Sequence, residues 1–440
     1  MTREATLHLD EARQLLTSSL KTRWSELDLE RALVIEDAFG RFSLACWGRR
    51  AAEPMLRDLL AAIGPYAASL FWAPDNAEFD PLELDSSWDE SSPAEDDTGT
   101  PPLPLRICVR HRMLPAWQQC RSVPLWPVVG SDSCPIVSFY SFKGGMGRTT
   151  ALATFAIDRA RRGDRVVVID LDLDAPGLGS ILSVESPAPY GVVDYLMEAP
   201  IVRQQLDLLD YSSMVHLGKL STEGSIRMFA AGRLDLHYLG KLARLDFEQP
   251  GEGLPQHPLD GLLHQVRDEL RPDWILLDSR TGFSETAGIL LSGMAHFHVL
   301  VGVNSTQSWE GLTYAIRRLG ADRLRRGYSQ AEILLIHAMV PQLSKEPLAD
   351  LSQRFAEQAE DIFRDSYYAA SDEVSEQDIW YLDDAASESA PHRAQQLSYL
   401  PSLAQCATIE DLLLALDSNL GGYAQFSELL ARRIAASWNP

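Results

Sequence analysis

Lysine is scarce in this chain: five lysines stand beside 34 arginines in 440 residues. Arginine in a lysine's usual place therefore carries little information on the surface. It carries much where a slim point charge and a wide planar one do different chemistry. Cysteine is also sparse. Cys46, Cys108, Cys120, Cys134 and Cys406 are odd in number and form no C-x-x-C pair, which speaks against a disulfide framework and for free thiols in a reducing compartment. Long apolar runs are missing. The best candidate, Ile289 to Val303, is short and broken by His296 and His298, too little to span a bilayer. The first residues show no apolar signal-peptide core, so a cytoplasmic location is expected. Clustered positive charge is lacking too: the net charge is −23, and residues 74 to 99 hold ten acids with no Lys or Arg. A general nucleic-acid binder needs the opposite, because counterion release requires concentrated cations.

What is present suggests two domains. Residues 9 to 27 space Leu9, Leu15, Leu16, Leu20 and Trp24 near one helical face. Strands are expected at 31–37, 41–47, 67–72 and 103–110, with a helix at 52–63, giving a small α+β domain over 1–115. The acidic segment 74–102 reads as a mobile loop within it. Residues 116–132, rich in turn formers, read as a linker. From 133 to 440 the pattern alternates. Strands are expected at 136–141, 165–170, 226–230, 273–278, 297–303 and 332–338, with a weaker one at 379–382. Helices fall at 149–162, 191–198, 258–270, 308–320 and 349–366, and closing helices at 403–438. Such alternation implies an α/β fold, a mainly parallel sheet with helices on both faces and ligands at the strands' C-terminal ends.

The chemistry concentrates at such ends. Phe142-Lys143-Gly144-Gly145-Met146-Gly147-Arg148-Thr149-Thr150 lies between an apolar strand and a helix. Glycines there let backbone N–H groups close on an anion, and the helix N-terminus adds partial positive charge. The Thr149 hydroxyl, first in the helix, suits Mg²⁺. Asp170, Asp172 and Asp174 alternate after a second apolar strand, and Asp278 ends a third, followed by Ser279-Arg280-Thr281-Gly282.

These three motifs, in this order, resemble the deviant Walker A loop, switch I and Walker B–switch II of ParA/MinD-type ATPases, a SIMIBI-class branch of the P-loop NTPases. The resemblance covers roughly residues 133 to 420, most firmly 136 to 305. It implies ATP and Mg²⁺ as cofactors and a nucleotide-dependent homodimer. Gly144, Gly145, Met146, Gly147, Arg148, Thr149 and Thr150 would bind phosphates. Lys143 would be the signature lysine reaching the partner's phosphates, against the plainer reading of a surface lysine. Thr149, Asp170 and Asp278 would hold Mg²⁺, and Asp172 would position the attacking water. Asp174 is extra to the pattern and reads as a solvated carboxylate.

Two positions depart from the family. Arg148 stands where the P-loop has lysine, which leaves slow hydrolysis and binding without hydrolysis both open. Arg280 stands where proline is usual; it either serves the γ-phosphate or pairs with an acid such as Glu285. Asn304 and Pro341 follow strands whose loops contact the base in the family, without a base-specific signature here. Arg317, Arg318, Arg323, Arg325 and Arg326 form the one basic stretch that could touch DNA, against a helix end enriched in cations to suit its dipole. Phe426, Leu429, Leu430, Ile434 and Trp438 could make a membrane-seeking helix, though packing on the core is commoner. Nucleic acid and membrane are both disfavoured. The function expected is an ATP-driven switch that recruits a protein partner through its N-terminal domain, in a setting such as a bacterial conflict or signalling system. The alternatives are a non-hydrolysing nucleotide-gated scaffold and a DNA-positioning ATPase.

Overall fold

The structure, a computed structural model, describes residues 9–37, 40–72, 103–109, 134–184, 186–202, 205–217, 223–245, 257–326, 332–341, 345–368, 380–387, 389–406 and 408–438. Leu7, Trp88, 91–93, Trp117, Leu125 and Trp126 are described as well. The chain divides into two compact units, Met1–Met113 and Leu114–Pro440.

The first unit holds a five-stranded sheet in the order β3-β2-β1-β5-β4, with β1 Leu29–Glu36, β2 Phe42–Gly48, β3 Ala67–Trp72, β4 Ser92–Pro93 and β5 Leu105–Val109. β1 and β2 are antiparallel, and the Asp37 N–H donates to the Arg41 carbonyl (2.8 Å) to close their hairpin. Two helices, Leu9–Thr22 and Glu53–Ala61, bury Ala12, Leu16, Leu20, Leu56 and Leu60 with the sheet residues Ala32, Val34 and Leu44. The helix expected over 9–27 is interrupted at Arg23, where a second short helix, Trp24–Leu27, begins. The other sheet face buries Leu33, Ile35, Ala45 and Phe71, with Trp47 and Trp88 packed against them. Trp88 belongs to the acidic segment. The Arg31 guanidinium lies 5.0 Å and that of Arg106 5.2 Å from its ring, and the Trp88 carbonyl accepts from Arg106 (2.8 Å). Ser92–Pro93 of the same segment form β4 and pair antiparallel with β5; the rest of the reading of 74–102 as mobile lies outside the described residues.

The second unit is built on an eight-stranded sheet, β13-β12-β11-β6-β10-β7-β9-β8. Its strands are β6 Ile136–Tyr140, β7 Arg165–Leu171, β8 Ser213–Met214, β9 Ser225–Phe229, β10 Trp274–Ser279, β11 Phe297–Gly302, β12 Glu332–Val340 and β13 Gln395–Ser398. All neighbours are parallel except β8 with β9. The central strands are buried along their length apart from their first residues Arg165 and Trp274, as a sheet covered on both faces requires. One face packs helices Arg148–Arg161, Ile409–Asp417 and Tyr423–Trp438, burying Phe155, Leu412, Phe426 and Leu430. Two further clusters line the opposite side.

Of the weaker strand expected at 379–382, residue 379 lies outside the described residues, and 380–382 form no strand beyond a single bridge residue, Tyr381. Leu382–Ala386 is a short 3₁₀ turn, and the edge strand is β13, pairing parallel with β12 through Ile336 and Gln395. The apolar signal at Trp380 comes from packing against the core, with its indole N–H donating to Glu332 (3.0 Å). Trp117 and Trp126, within the stretch read as a linker, are both buried. The Trp126 indole donates to the Cys134 carbonyl (2.9 Å), and the Trp117 indole to the Ser284 carbonyl (2.6 Å).

Candidate nucleotide site

β6 ends at Tyr140, and residues 141–147 turn the chain into the helix Arg148–Arg161. Gly147, the helix N-cap, sits at φ +80° and Gly145 at φ +74°, a region that costs a side chain roughly 1–2 kcal/mol. A Cβ at either position, or at Gly144, would meet nothing within 4 Å. The glycines thus serve the loop's curvature and leave the space above it open. The first N–H groups of a 14-residue helix face that space, the standard polarity for holding phosphate.

Sheet register brings the carboxylates to the loop. Asp278 on β10 pairs laterally with Asp170 on β7, and Phe139 of β6 lies on its other side. Asp170 is 1% and Asp278 0% exposed. Asp170 accepts the backbone N–H of Asp172 (3.1 Å) on one oxygen and that of Leu178 (3.3 Å) on the other. Burial, and then the neighbouring Asp278 charge, push its carboxyl well above the usual carboxylate range. Burial also raises the Asp278 carboxyl, against the pull of Arg148 and Thr149.

Arg148 is 6% exposed and folds back from the loop into this group. Its Nε donates to Asp278 Oδ1 (2.7 Å) and its Nη2 to Asp172 Oδ2 (2.8 Å). Burial opposes its charge, but the two carboxylates outweigh that and hold it protonated. Thr149 Oγ1 donates to the other Asp278 oxygen (2.8 Å). Two atoms are left over. Arg148 Nη1 and Asp172 Oδ1 are buried without a hydrogen-bond partner, an arrangement that costs roughly 1–3 kcal/mol for each such group.

The remaining candidates fall around this centre. Lys143 is exposed at the loop's start, Met146 packs against the core beneath, and the Thr150 carbonyl accepts from Thr154 (2.7 Å). Arg280 forms an ion pair with Asp174, so Asp174 is not a solvated carboxylate, and an acid that pairs with Arg280 comes from the segment after β7. Sequence reasoning missed a ring of aromatics. Phe283 stacks edge-on with Phe142, Trp117 and Tyr314 at 4.9–5.1 Å, or 5.1 Å for the first two contacts. The Tyr140 hydroxyl and the Trp117 indole donate to the Gly282 and Ser284 carbonyls. The residues after Asp278 are thereby tied to the strand and to the segment preceding it.

Asn304 donates to the Leu351 carbonyl (3.1 Å) and, with Trp309, Glu310, Arg317 and Gln358, lines a surface cavity of about 520 Å³. Arg317 and Arg318 lie on the helix Thr306–Arg326. The side chains of Arg323, Arg325 and Arg326 lie outside the described residues. Phe426, Leu430 and Ile434 of the last helix are buried and Leu429 is partly buried in the cluster with the P-loop helix, so these residues pack on the core; the Trp438 side chain lies outside the described residues. Among the described residues no helix is long and apolar enough to cross a membrane.

A strand–glycine loop–helix with two aspartates on adjacent parallel strands defines a P-loop nucleotide-binding fold. Residues 137–380 match the family described as the CobQ/CobB/MinD/ParA nucleotide binding domain, and the chain belongs to that family. A 61-residue stretch is 39% identical to the septum site-determining protein MinD of Helicobacter pylori, covering 14% of this chain and 23% of that protein. The match thus spans about a quarter of the relative's length. Among solved structures, a pNOB8 ParA bound to nonspecific DNA is 17% identical, with 69% of this chain and 100% of that one covered at a TM-score of 0.45. The cell division ATPase MinD of Pyrococcus furiosus is 16% identical over 68% of this chain and 99% of that one, TM-score 0.43. MinD from Pyrococcus horikoshii, complexed with Mg-ADP, is 19% identical over 50% and 77%, TM-score 0.35.

Proposed function

We propose that this chain is an ATP-binding, slowly hydrolysing molecular switch. It dimerises around nucleotide and uses its N-terminal unit to recruit or regulate a protein partner. The observation that carries this reading is the meeting of Thr149, Asp170, Asp172 and Asp278 beside an open glycine loop at a helix N-terminus. Hard oxygen donors of this kind fit Mg²⁺. Thr149, Asp278 and Asp170 are the residues to hold it, and bound metal would neutralise charge on the β- and γ-phosphates. The loop amides cradle the phosphates. Asp172 orients water. Lys143, exposed at the loop's edge, is placed to reach a second copy's nucleotide, where a cation supplied in trans offsets developing charge. Because Asp174 and Arg280 pair across the segments that follow β7 and β10, a change at one segment is felt by the other, as a switch requires.

A non-hydrolysing scaffold is the second reading. It is favoured by the pairing of Asp172, the water-orienting candidate, with Arg148. Phosphate release from Mg-ATP, measured across protein concentration, separates the two. Specific activity rising with concentration, and lost in Lys143→Ala, is expected for the switch. Tight ATP binding with no release at any concentration would establish the scaffold instead.

A further inference from the structure

We infer that Arg148 is a built-in counter-cation that competes with divalent metal for Asp278 while it also engages Asp172, so that metal enters only when the guanidinium is drawn away to a nucleotide's phosphates. This deepens the nucleotide-switch reading and rests on it for its biological purpose, though not for its chemistry.

The oxygens a metal needs are already occupied. Both Asp278 oxygens are engaged, one by Arg148 Nε at 2.7 Å and one by the Thr149 hydroxyl at 2.8 Å. One Asp172 oxygen is engaged by Arg148 Nη2 at 2.8 Å. A hard cation placed on these carboxylates meets a guanidinium already there, and two cations sharing one buried pair of acids repel strongly where the dielectric is low. The donors fit the metal; the arginine among them does not. Either the metal or Arg148 holds Asp278.

The same side chain carries the sign of an unfinished arrangement. Arg148 is more than nine-tenths buried, yet its Nη1 has no partner, and the buried Asp172 Oδ1 beside it has none either. A guanidinium resting permanently here would leave both unmet. An incoming phosphate supplies acceptors for Nη1, and a metal supplies the charge that Asp172 and Asp278 lose when the guanidinium turns away. Positive charge is thus exchanged at the acids without leaving them bare, the costly state for buried carboxylates. The planar fork, with Nε aimed at Asp278 on β10 and Nη2 at Asp172 just past β7, holds both at once. A lysine, with one ammonium on a flexible stem, grips such a pair less firmly.

The test uses the nucleotide-free full-length chain and Mn²⁺ as probe, following loss of the free-ion signal by electron paramagnetic resonance. Wild type is expected to bind weakly. Arg148→Gln is expected to bind at least about tenfold tighter, and Arg148→Lys by an intermediate factor. Adding Asp278→Asn to Arg148→Gln should return the affinity towards wild type, locating the metal at the acid it shares with Arg148. Circular dichroism reports folding, and the lysine variant, which keeps a cation among the acids, serves if the glutamine variant unfolds. Folded Arg148→Gln and Arg148→Lys proteins that titrate like wild type overturn the inference. ATP binding is measured separately. A wild type that ignores ATP while the variants gain metal would refute the nucleotide reading and leave the competition standing.

Discussion

At the scale of single residues, the P-loop separates two demands usually met by the same glycines. Gly147 and Gly145 are needed for positive φ, whereas Gly144 is not held there and has open space around it. Gly147→Ala is therefore expected to cost the nucleotide-free protein about 1 kcal/mol, with Gly144→Ala near zero. Urea unfolding of both variants checks this. Equal losses would mean that something other than backbone conformation fixes the loop. The loop motif and the aspartates are legible in the sequence because each is local, a few residues at fixed spacing beside an apolar run. Their partners are not. Arg148 reaches Asp278 across 130 positions and Trp117 reaches Ser284 across 167, and no local spacing encodes such distances. Arg280 and Asp174 illustrate the same gap: the sequence leaves Asp174 solvated and Arg280 divided between the γ-phosphate and an acid such as Glu285, and only the approach of two loops makes them a pair.

At the scale of elements, the helix Thr306–Arg326 is seated directly on the residue that opens the loop. A Cβ on Gly311 would lie 1.8 Å from the Phe142 ring, so the glycine exists for contact and not for flexibility. Alanine at 311 improves helix propensity by about 1 kcal/mol but must evict Phe142 from its edge-on packing with Phe283. A double-mutant cycle of Gly311→Ala and Phe142→Ala, read by thermal unfolding, is expected to show a coupling of about 1–3 kcal/mol. Additive effects would show that the ring yields freely. Sequence reading placed this helix within a few residues at its start, from its apolar period, but gave Gly311 no role. A helical glycine is silent until the neighbouring element is known. The same limit explains 380–382, where Trp380 mimics a strand by being partly buried against its neighbours, while the true edge strand, Gln395–Ser398, is too short and polar to announce itself.

At the scale of the whole molecule, the sheet buries ionisable groups that tie stability to pH. Burial holds His296 down to about 4 and His298 down to about 3. His296 accepts the Ile136 N–H on Nδ1 (3.0 Å), which fixes a neutral ring with its proton on Nε2 facing the Trp126 carbonyl. A histidine depressed in the folded state favours folding fully above its unfolded pKa of about 6.5, and that contribution drains away as the pH falls towards the folded value. Asp170, raised by burial, acts in the opposite direction. Comparing His298→Asn with wild type cancels the aspartate. Relative to wild type, the variant is expected to gain about 1.4 kcal/mol per pH unit between pH 6 and 4.5, whatever its offset at pH 7. Parallel curves in chemical unfolding at several pH values would refute the assignment.

The sequence by itself determined the α/β alternation, the glycine loop with its helix, and the three aspartates at strand ends, because each follows from local periodicity and turn chemistry. Tertiary structure decided what those groups do to one another. The parallel register of β7 and β10 set Asp170 beside Asp278, and the burial it created made an arginine, not a solvated lysine, the resting partner of the acids. Charge pairing in a low-dielectric interior depends on distances between segments remote in sequence, and only the folded sheet fixes those distances.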